Sequence, residues 1–216
     1  MGADCRQKIL HGLRSAVIQN WIANPLWLIM ALLWVAPVEA RASPVELAAY
    51  RPAHFKVGGE FQLTDQNGER LSSSVLRGKP VLMAFGFTHC PDTCPVTVST
   101  MSLMLKRLQG QARGVHMVFV TVDPERDSPP VLKQYLDFFE GRILGLTGEL
   151  EQVEDMASVF GVSFRKVNAN SAAGYMVNHT SAYYLLDREG SVRYILPHDI
   201  DLDLMLAGLK SLLEES

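Results

Sequence analysis

Two cysteines spaced four positions apart, Cys90 and Cys94, are the residues of this sequence best suited to chemistry. If both lie on the first turn of a helix, their side chains project from one face about 5–6 Å apart. The unpaired amides and the positive dipole end of a helix N-terminus also favour thiolate over thiol. Pro91 suits such a first turn, because its missing N–H would have no partner there. The pair therefore predicts thiol–disulfide exchange or the binding of a metal ion.

Two purely structural interpretations of the cysteine pair are weaker. A disulfide closing a loop of five residues stabilises a fold by about 2 kcal/mol, among the smallest gains that a disulfide gives. Two buried, inert thiols fit poorly with the polar, turn-like residues 91–93 between them, which indicate a surface site.

A metal ion would need at least a third ligand. Thiolates are soft ligands that select Cu(I), or Zn(II) when four nitrogen and sulfur donors converge. The sequence offers six histidines, namely His11, His54, His89, His116, His179 and His198. His179 lies in a loop-like stretch directly before an expected core strand, but a lone histidine is more often solvated or packed than a ligand. Spacing alone leaves the third ligand open.

The cysteines lie where a central strand is expected to lead into a helix. Residues 81–87 are apolar at both odd and even positions, which is typical of a strand buried on both faces of a parallel or mixed sheet. From Val96 to Gln109 apolar residues recur with helical period, and Gly110 ends the pattern.

The remaining patterns predict an α/β sheet covered by helices, with a βαβ first half and a hairpin-plus-helix second half. Asn67 and Gly68 supply the positive-φ pair of an opening hairpin turn. Asp199 or Asp201 can cap the last helix. The other predicted elements are a helical turn at 71–77, strands at 115–122, 143–146, 163–167, 181–186 and 192–196, and helices at 131–139, 150–160 and 202–212.

The N-terminus carries the pattern of an export segment. Basic residues precede Trp21–Ala36, which contains no charged residue, and Ala40-Arg41-Ala42 follows it, as in a signal peptide with its cleavage site. Extended to Val38, the same stretch just reaches the length of a membrane-spanning helix, so anchoring and cleavage near Ala42 both stay open. Either outcome places the rest of the chain outside the cytoplasm. We expect a signal or membrane anchor at 1–42, a tether at 43–55 and one domain at 56–216.

Composition and charge exclude some partners. The chain of 216 residues has a formal net charge of −3 and no run of lysine or arginine, which argues against nucleic acid or an anionic lipid surface as the main partner. Three cysteines are too few for a disulfide-stapled mini-protein. Cys5 precedes the export segment, and we exclude it from the chemistry.

Three motifs together resemble the Sco/SenC copper-binding proteins of cytochrome c oxidase assembly. They are F-T-x-C-P-D-x-C-P at 87–95, T-V-D-P-E-R-D-S-P at 121–129 and Y-x-V-x-H-T at 175–180. Their order and spacing agree with that family over most of residues 56–216. A Cys-x-x-x-Cys pair alone would be a weak signal, whereas the set of three is highly specific.

The resemblance implies a thioredoxin-like fold that binds one copper ion per chain, Cu(I) or Cu(II), through Cys90, Cys94 and His179. It also associates an acidic residue, here Asp123, with the site. The role of that carboxylate stays open between support of the ligands, partner docking and simple capping of a strand end. Asn178 departs from the family, which often has aspartate before the histidine, and this departure alters only a local charge. Oxidation of the two thiols to a disulfide would abolish the site.

The function that follows from the resemblance is that of a copper chaperone or thiol reductant for the binuclear copper centre (CuA) of cytochrome c oxidase. Its expected partners are the copper-bearing oxidase subunit and a copper donor protein, on the periplasmic side of the bacterial inner membrane. It would act by ligand exchange rather than turnover, and so would not be an enzyme in the strict sense. A structural assembly factor that merely docks to the oxidase is a further possibility.

The alternative is an enzyme on the same fold, either a thiol-disulfide oxidoreductase or a thiol peroxidase. A peroxidatic cysteine usually has threonine three positions earlier, whereas Phe87 and Pro91 occupy those positions here. The pair is also Cys-x-x-x-Cys and not the Cys-x-x-Cys of general thioredoxins.

Overall fold

The computed structural model describes residues 44–52, 57–168 and 174–215. The predicted signal or anchor at 1–42, with its cleavage site, lies outside these residues. Within the described part, no helix is long and apolar enough to cross a membrane.

A mixed sheet of seven strands, in the order β2-β1-β5-β4-β3-β8-β9, forms the body of the domain. The two remaining described strands, β6 and β7, pair with each other in a separate small sheet. The strands are β1 Gln62–Asp65, β2 Arg70–Ser72, β3 Val81–Gly86, β4 His116–Thr121, β5 Ile143–Thr147, β6 Phe164–Asn168, β7 Tyr175–His179, β8 Ala182–Leu186 and β9 Val192–Pro197. The helices are α1 Pro44–Ala48, α2 Thr93–Leu108, α3 Pro129–Asp137, α4 Leu150–Val159 and α5 Leu202–Glu214.

The centre of the sheet is parallel and buried on both faces. Strand β3 pairs in parallel with β4, and β4 in parallel with β5. Parallel neighbours need a crossover connection, which α2 supplies between β3 and β4 and α3 between β4 and β5. Every residue of β3 is buried, which confirms the strand expected at 81–87 from its apolar run.

The opening hairpin is also confirmed. Strands β1 and β2 pair antiparallel, with Leu63 opposite Leu71. Gly68 has φ +87° in the turn between them, a conformation that favours glycine. The Asp65 carboxylate accepts hydrogen bonds from the backbone N–H groups of Asn67 and Glu69, which closes the turn. The predicted helical turn follows as a 3-10 helix at Ser73–Leu76.

Of the two predicted caps for the last helix, Asp201 is the one used. Its Oδ1 accepts from the backbone N–H groups of Asp203 at 2.7 Å and Leu204 at 3.2 Å. Two amides that have no partner within the helix are thereby satisfied.

The expectation of a loop before His179 is wrong. Residues Tyr175–His179 form strand β7, which pairs antiparallel with β6 in continuous register from Phe164 opposite His179 to Asn168 opposite Tyr175. Pairing with the partner strand satisfies the backbone groups of this stretch, and the local sequence alone does not indicate that partner.

The part of the predicted tether that the structure describes lies against the domain. Leu47 of α1 is only 4% exposed, and a Cβ built on Gly208 of α5 would lie 3.4 Å from its Cδ2. The Tyr50 carbonyl accepts a hydrogen bond of 2.9 Å from the backbone N–H of Ile195 in β9. Residues 44–52 therefore pack on α5 and β9.

Candidate metal centre

The two cysteines lie on either side of the start of α2. The helix begins at Thr93 rather than at the expected Val96, so Cys94 belongs to its first turn while Cys90 and Pro91 precede it. Both cysteines are free thiols and buried, Cys90 being 9% exposed and Cys94 1%. The Cys94 backbone N–H donates to Cys90 Sγ at 3.5 Å. The sulfur of Cys90 thus occupies the place of a capping oxygen at the positive end of the helix.

The two sulfurs share one proton unequally. The side-chain hydrogen bond from Cys94 lowers the pKa of Cys90 to about 4, and the Thr93 hydroxyl and the amides of Asp92 and Cys94 add to this against the opposing effect of burial. The same hydrogen bond, together with burial, raises the pKa of Cys94. At neutral pH, therefore, Cys90 is the thiolate and Cys94 is the thiol that donates to it.

Gly86, the last residue of β3, leaves the space that the Cys94 sulfur fills. A Cβ added at Gly86 would lie 2.9 Å from Cys94 Sγ and 2.8 Å from the ring of Phe119. The Phe87 backbone N–H, next in the chain, lies 3.5 Å from the same sulfur. Gly86 was not among the site residues predicted from the sequence, although a glycine at the end of an apolar strand often marks such a close approach.

His179 reaches the pair from β7, 85 residues along the chain from Cys94. Its Nε2 lies 3.9 Å from Cys94 Sγ, and its Nδ1 lies 3.0 Å from the Thr180 carbonyl oxygen. A proton on Nδ1 donates to that carbonyl and leaves the Nε2 lone pair directed at the sulfur, as in metal-binding histidines. The imidazole also packs edge-to-face on Phe87, with ring centroids 6.0 Å apart.

These donors suit a soft metal ion in their chemistry. A metal with bonds of about 2.3 Å to sulfur and about 2.0 Å to nitrogen fits between Cys94 Sγ and His179 Nε2 at 3.9 Å. Among the described residues, however, no three histidine, cysteine or carboxylate side chains already have the spacing of a bound ion. Binding of a metal ion by all three donors would therefore require some rearrangement of these side chains.

The other described histidines are directed elsewhere. The Nδ1 atom of His89, although next to Cys90 in sequence, lies 3.0 Å from Thr88 Oγ1 and 3.8 Å from Asp127 Oδ1. His116 begins β4 at the opposite end of the sheet, and the ring of His198 stacks on Tyr183. His11 and His54 lie outside the described residues. Of the described histidines, His179 is the one that contacts a cysteine.

A buried carboxylate that the sequence analysis also missed holds the loop before Cys90. Asp127 is fully buried and accepts from the Thr88 backbone N–H at 3.0 Å, the Thr88 hydroxyl at 2.6 Å and the Thr121 hydroxyl at 2.6 Å. The sequence feature that could have indicated Asp127 is its position near the end of the motif T-V-D-P-E-R-D-S-P at 121–129. Asp127 ties the cysteine loop to the end of β4.

Asp123 lies at the same edge of the sheet and is fully buried, but its carboxylate contacts Arg126 and Tyr175 rather than the three predicted ligands. Its carboxylate accepts from Arg126 Nε at 2.5 Å and from the Tyr175 hydroxyl at 2.7 Å, and its backbone N–H donates to Thr121 Oγ1. The backbone carbonyl of Asp123 also accepts from the N–H groups of Arg126 and Asp127 in a tight turn. The residue therefore joins the loop after β4 to the strand that carries His179.

Fold and site together define a thioredoxin-like protein with two thiols at the start of the helix that follows a central strand. The third side chain of the site, an imidazole, comes from a hairpin outside the main sheet.

The chain belongs to the SCO1/SenC family, whose model matches residues 50–214. The SCO2-like protein of Rickettsia prowazekii is 40% identical over 149 residues, which cover 68% of this chain and 72% of that protein. The structure of Bradyrhizobium japonicum ScoI with copper bound is 37% identical with a TM-score of 0.66, and the match covers 72% of this chain and 98% of that one. Copper-bound yeast Sco1 is 33% identical with a TM-score of 0.68, covering 75% and 91%. These likenesses confirm the predicted thioredoxin-like fold.

Proposed function

We propose that this protein binds one copper ion through Cys90, Cys94 and His179 and serves the assembly of the binuclear copper centre of cytochrome c oxidase. The observation that carries the proposal is the approach of His179 Nε2 to within 3.9 Å of Cys94 Sγ, beside a Cys90 sulfur already poised as thiolate. Two sulfurs and one nitrogen suit Cu(I) in low coordination and leave a position open for transfer. The copper-bound relatives support the choice of metal.

Copper is the cargo here, and its entry has a defined proton balance. The copper-free pair holds one proton, on Cys94, and that proton must leave when both sulfurs bind. The His179 Nδ1 lies against the Thr180 carbonyl, which leaves Nε2 for the metal. Copper uptake therefore releases about one proton from the cysteine pair of each chain.

Delivery would proceed by exchange of ligands with the copper-bearing subunit of the oxidase, after loading by a copper donor protein. We place these encounters on the periplasmic side of the bacterial inner membrane, where the chain is anchored or released by cleavage near Ala42. The basis for this location is the order of charged and apolar residues before Ala42. Nucleic acid has no part in this function.

A second function, thiol–disulfide exchange, is favoured by the low pKa of the Cys90 thiol. The Cys90 thiolate attacks a disulfide of the partner, and one partner sulfur leaves as a thiolate. Cys94 then loses its proton to that sulfur and attacks Cys90, which releases the second partner sulfur and leaves a Cys90–Cys94 disulfide. The pair loses two electrons and the partner disulfide gains them. Such a reaction can reduce a disulfide between the cysteines of the oxidase copper site, or define the thiol-disulfide oxidoreductase considered from the sequence.

Copper titration of the reduced protein tests the first function. We expect about one copper per chain with thiolate charge-transfer absorption, weakened by Cys90→Ala, Cys94→Ala and His179→Ala. His89→Ala and His198→Ala are matched controls that leave binding unchanged. The proposal fails if all three ligand variants bind copper as the unmodified protein does.

Two further measurements separate the functions. Copper transfer to a reduced oxidase copper-site domain, with and without His179, tests delivery. Turnover with peroxide or insulin in the absence of copper tests the enzyme, and robust turnover would favour it over the chaperone.

A further inference from the structure

We propose that Asp123, Arg126 and Tyr175 form a clamp that fixes the β6–β7 hairpin and so positions His179 as a metal ligand. The inference rests on the proposed copper site, but the clamp itself is a property of the copper-free protein. It assigns positioning roles to Arg126 and Tyr175, which the sequence analysis did not single out, and a specific role to Asp123.

The clamp contacts the hydroxyl group, the ring and the backbone carbonyl of Tyr175. The Tyr175 hydroxyl donates to Asp123 Oδ1 at 2.7 Å, and the Tyr175 carbonyl accepts from Arg126 Nη1 at 3.1 Å. The Arg126 guanidinium lies over the Tyr175 ring, 3.8 Å from its centroid. Arg126 Nε in turn donates to Asp123 Oδ2 at 2.5 Å. Both the side chain and the backbone of Tyr175 are therefore held by a single ion pair.

The ion pair is shielded from water, which strengthens its effect on the hairpin. The Asp123 side chain is 0% exposed and that of Arg126 is 17% exposed. A planar guanidinium matches a carboxylate and an aromatic face at the same time, whereas a lysine ammonium does not. Arg126 is thus suited to this position by shape as well as by charge.

The hairpin needs such a clamp because it lies outside the main sheet. Among the described strands, β6 and β7 hydrogen-bond only to each other. At the end of the hairpin where Phe164 faces His179, the pairing extends by one more hydrogen bond, from the Thr180 N–H to the Ser163 carbonyl. The chain there leads directly from α4 into β6 and from β7 into β8 of the main sheet. Tyr175 lies at the other end, opposite Asn168. The clamp therefore holds the end of the hairpin that the main sheet leaves unsupported.

The clamp is linked to the ligand along one face of β7. Tyr175, Val177 and His179 alternate with Met176 and Asn178 and so share a face of the strand. Val177, midway, is buried. Arg126 also lies 5.8 Å from the centroid of the Phe87 ring, and the same ring packs on His179. If Tyr175 is released, β7 is free to pivot, and the contact of His179 with Phe87 and Cys94 loosens.

Amide hydrogen exchange of the copper-free, reduced protein tests the clamp without any metal. In Tyr175→Phe and Arg126→Lys, the amides of β7 should exchange at least about tenfold faster, because a hydrogen bond to a charged group is lost. The amides of β3 and β4 should keep their rates. Lys166→Gln is the control at the same ring, since Lys166 Nζ lies 4.9 Å from the Tyr175 centroid and pairs with Glu125 rather than with Asp123. Arg107→Lys, in the exposed pair with Asp203, controls for the substitution type.

The copper-loaded protein gives the second readout. Loss of the clamp should shift the thiolate-to-copper absorption and lower copper affinity about tenfold, while the capacity stays at one copper per chain. Because Tyr175→Phe keeps the ring over which Arg126 lies, it should retain more affinity than Tyr175→Leu. Asp123→Ala and Tyr175→Phe should be non-additive, since each removes the hydrogen bond between the Tyr175 hydroxyl and Asp123.

Two outcomes would overturn the clamp. One is exchange in β7 that matches the unmodified protein, and the other is faster exchange throughout the sheet, which indicates general destabilisation. If the unmodified protein binds no copper while β7 still loosens selectively in the variants, the clamp stands and the proposed copper function fails.

Discussion

The backbone N–H of Cys94 points at the sulfur of Cys90 from 3.5 Å away, so the first turn of α2 stabilises a charge on a residue that precedes it. It adds to the side-chain hydrogen bond from Cys94, which is the largest cause of the low pKa of Cys90 and makes the two cysteines unequal. Cys90 is the thiolate at neutral pH, and the more deeply buried Cys94 holds the shared proton. A dithiol of this kind reacts first at Cys90, both toward metal ions and toward disulfides.

Alkylation of the reduced, copper-free protein should therefore be selective. Iodoacetamide should modify Cys90 at a rate that hardly changes from about pH 8 to about pH 5, because the Cys90 thiolate persists until the pH falls toward its pKa of about 4. Cys94 should stay unmodified over that range. Mass spectrometry of the labelled peptides gives both rates.

Substitution of Cys94 can remove, or partly restore, the hydrogen bond that its side chain donates to the Cys90 sulfur. Cys94→Ala removes the thiol that contributes most to the low pKa of Cys90, so the alkylation rate should now fall as the pH drops below about 8. Cys94→Ser keeps a hydroxyl donor, so the pH dependence of its Cys90 alkylation rate should lie between those of the unmodified protein and Cys94→Ala. Preferential modification of Cys94 in the unmodified protein would refute the assignment of the thiolate.

Gly86→Ala should disturb the site through the Cys94 sulfur. The added methyl group would lie 2.9 Å from Sγ and 2.8 Å from Phe119 in a fully buried strand, and such overpacking destabilises by about 1–3 kcal/mol. Urea unfolding measures the loss, and copper titration should show weaker binding. Gly110→Ala is the control, because a Cβ there meets nothing within 4 Å. Equal stability of the two variants would show that the site relaxes around the methyl group.

Local patterns were sufficient to predict the central elements of the fold. The apolar run at 81–87 became β3, and the Asn67-Gly68 pair became a hairpin turn with Gly68 at φ +87°. These features depend on neighbours in sequence, where periodicity and turn chemistry act. The same holds for the thiolate-stabilising environment of the cysteines, expected from a helix N-terminus, although Cys90 proved to precede the helix.

The parts of the site that depend on distant contacts were beyond such patterns. Strand β7 pairs along its whole length with β6, and nothing in its own five residues indicates that partner. His179 was selected by a family motif and not by spacing, since it lies 85 residues from Cys94 in sequence and 3.9 Å from it in space. The roles of Arg126 and Asp127 depend on side chains packed across two loops, which a linear pattern does not report.

The buried carboxylate of Asp127 should make stability depend on pH. Burial raises its pKa, although hydrogen bonds from Thr121 and Thr88 oppose the shift. The folded protein then keeps this proton to a higher pH than the unfolded chain does. The contribution of Asp127 to the free energy of unfolding therefore falls as the pH rises from about 4 through the raised folded value, and is constant above it.

Urea unfolding across that pH range, compared between the unmodified protein and Asp127→Asn, isolates this contribution. The difference in stability between the two should change with pH in that window, with the unmodified protein losing more as the pH rises. Asp137→Asn serves as the control, because the Asp137 carboxylate is on the surface, with its side chain 62% exposed. Parallel pH profiles for the unmodified protein and Asp127→Asn would contradict the raised pKa.

The segment before the domain should contribute to its stability. Leu47 is 4% exposed against α5, and truncating a buried leucine to alanine costs about 2–5 kcal/mol. Because α1 has only five residues and lies at the margin of the core, we expect Leu47→Ala to fall at the lower end of that range in urea unfolding. Val75→Ala, at a site 58% exposed, should change stability by less than about 0.5 kcal/mol. If Leu47→Ala is as mild as Val75→Ala, residues 44–52 act as a free tether, and their contacts with α5 and β9 add nothing to folding.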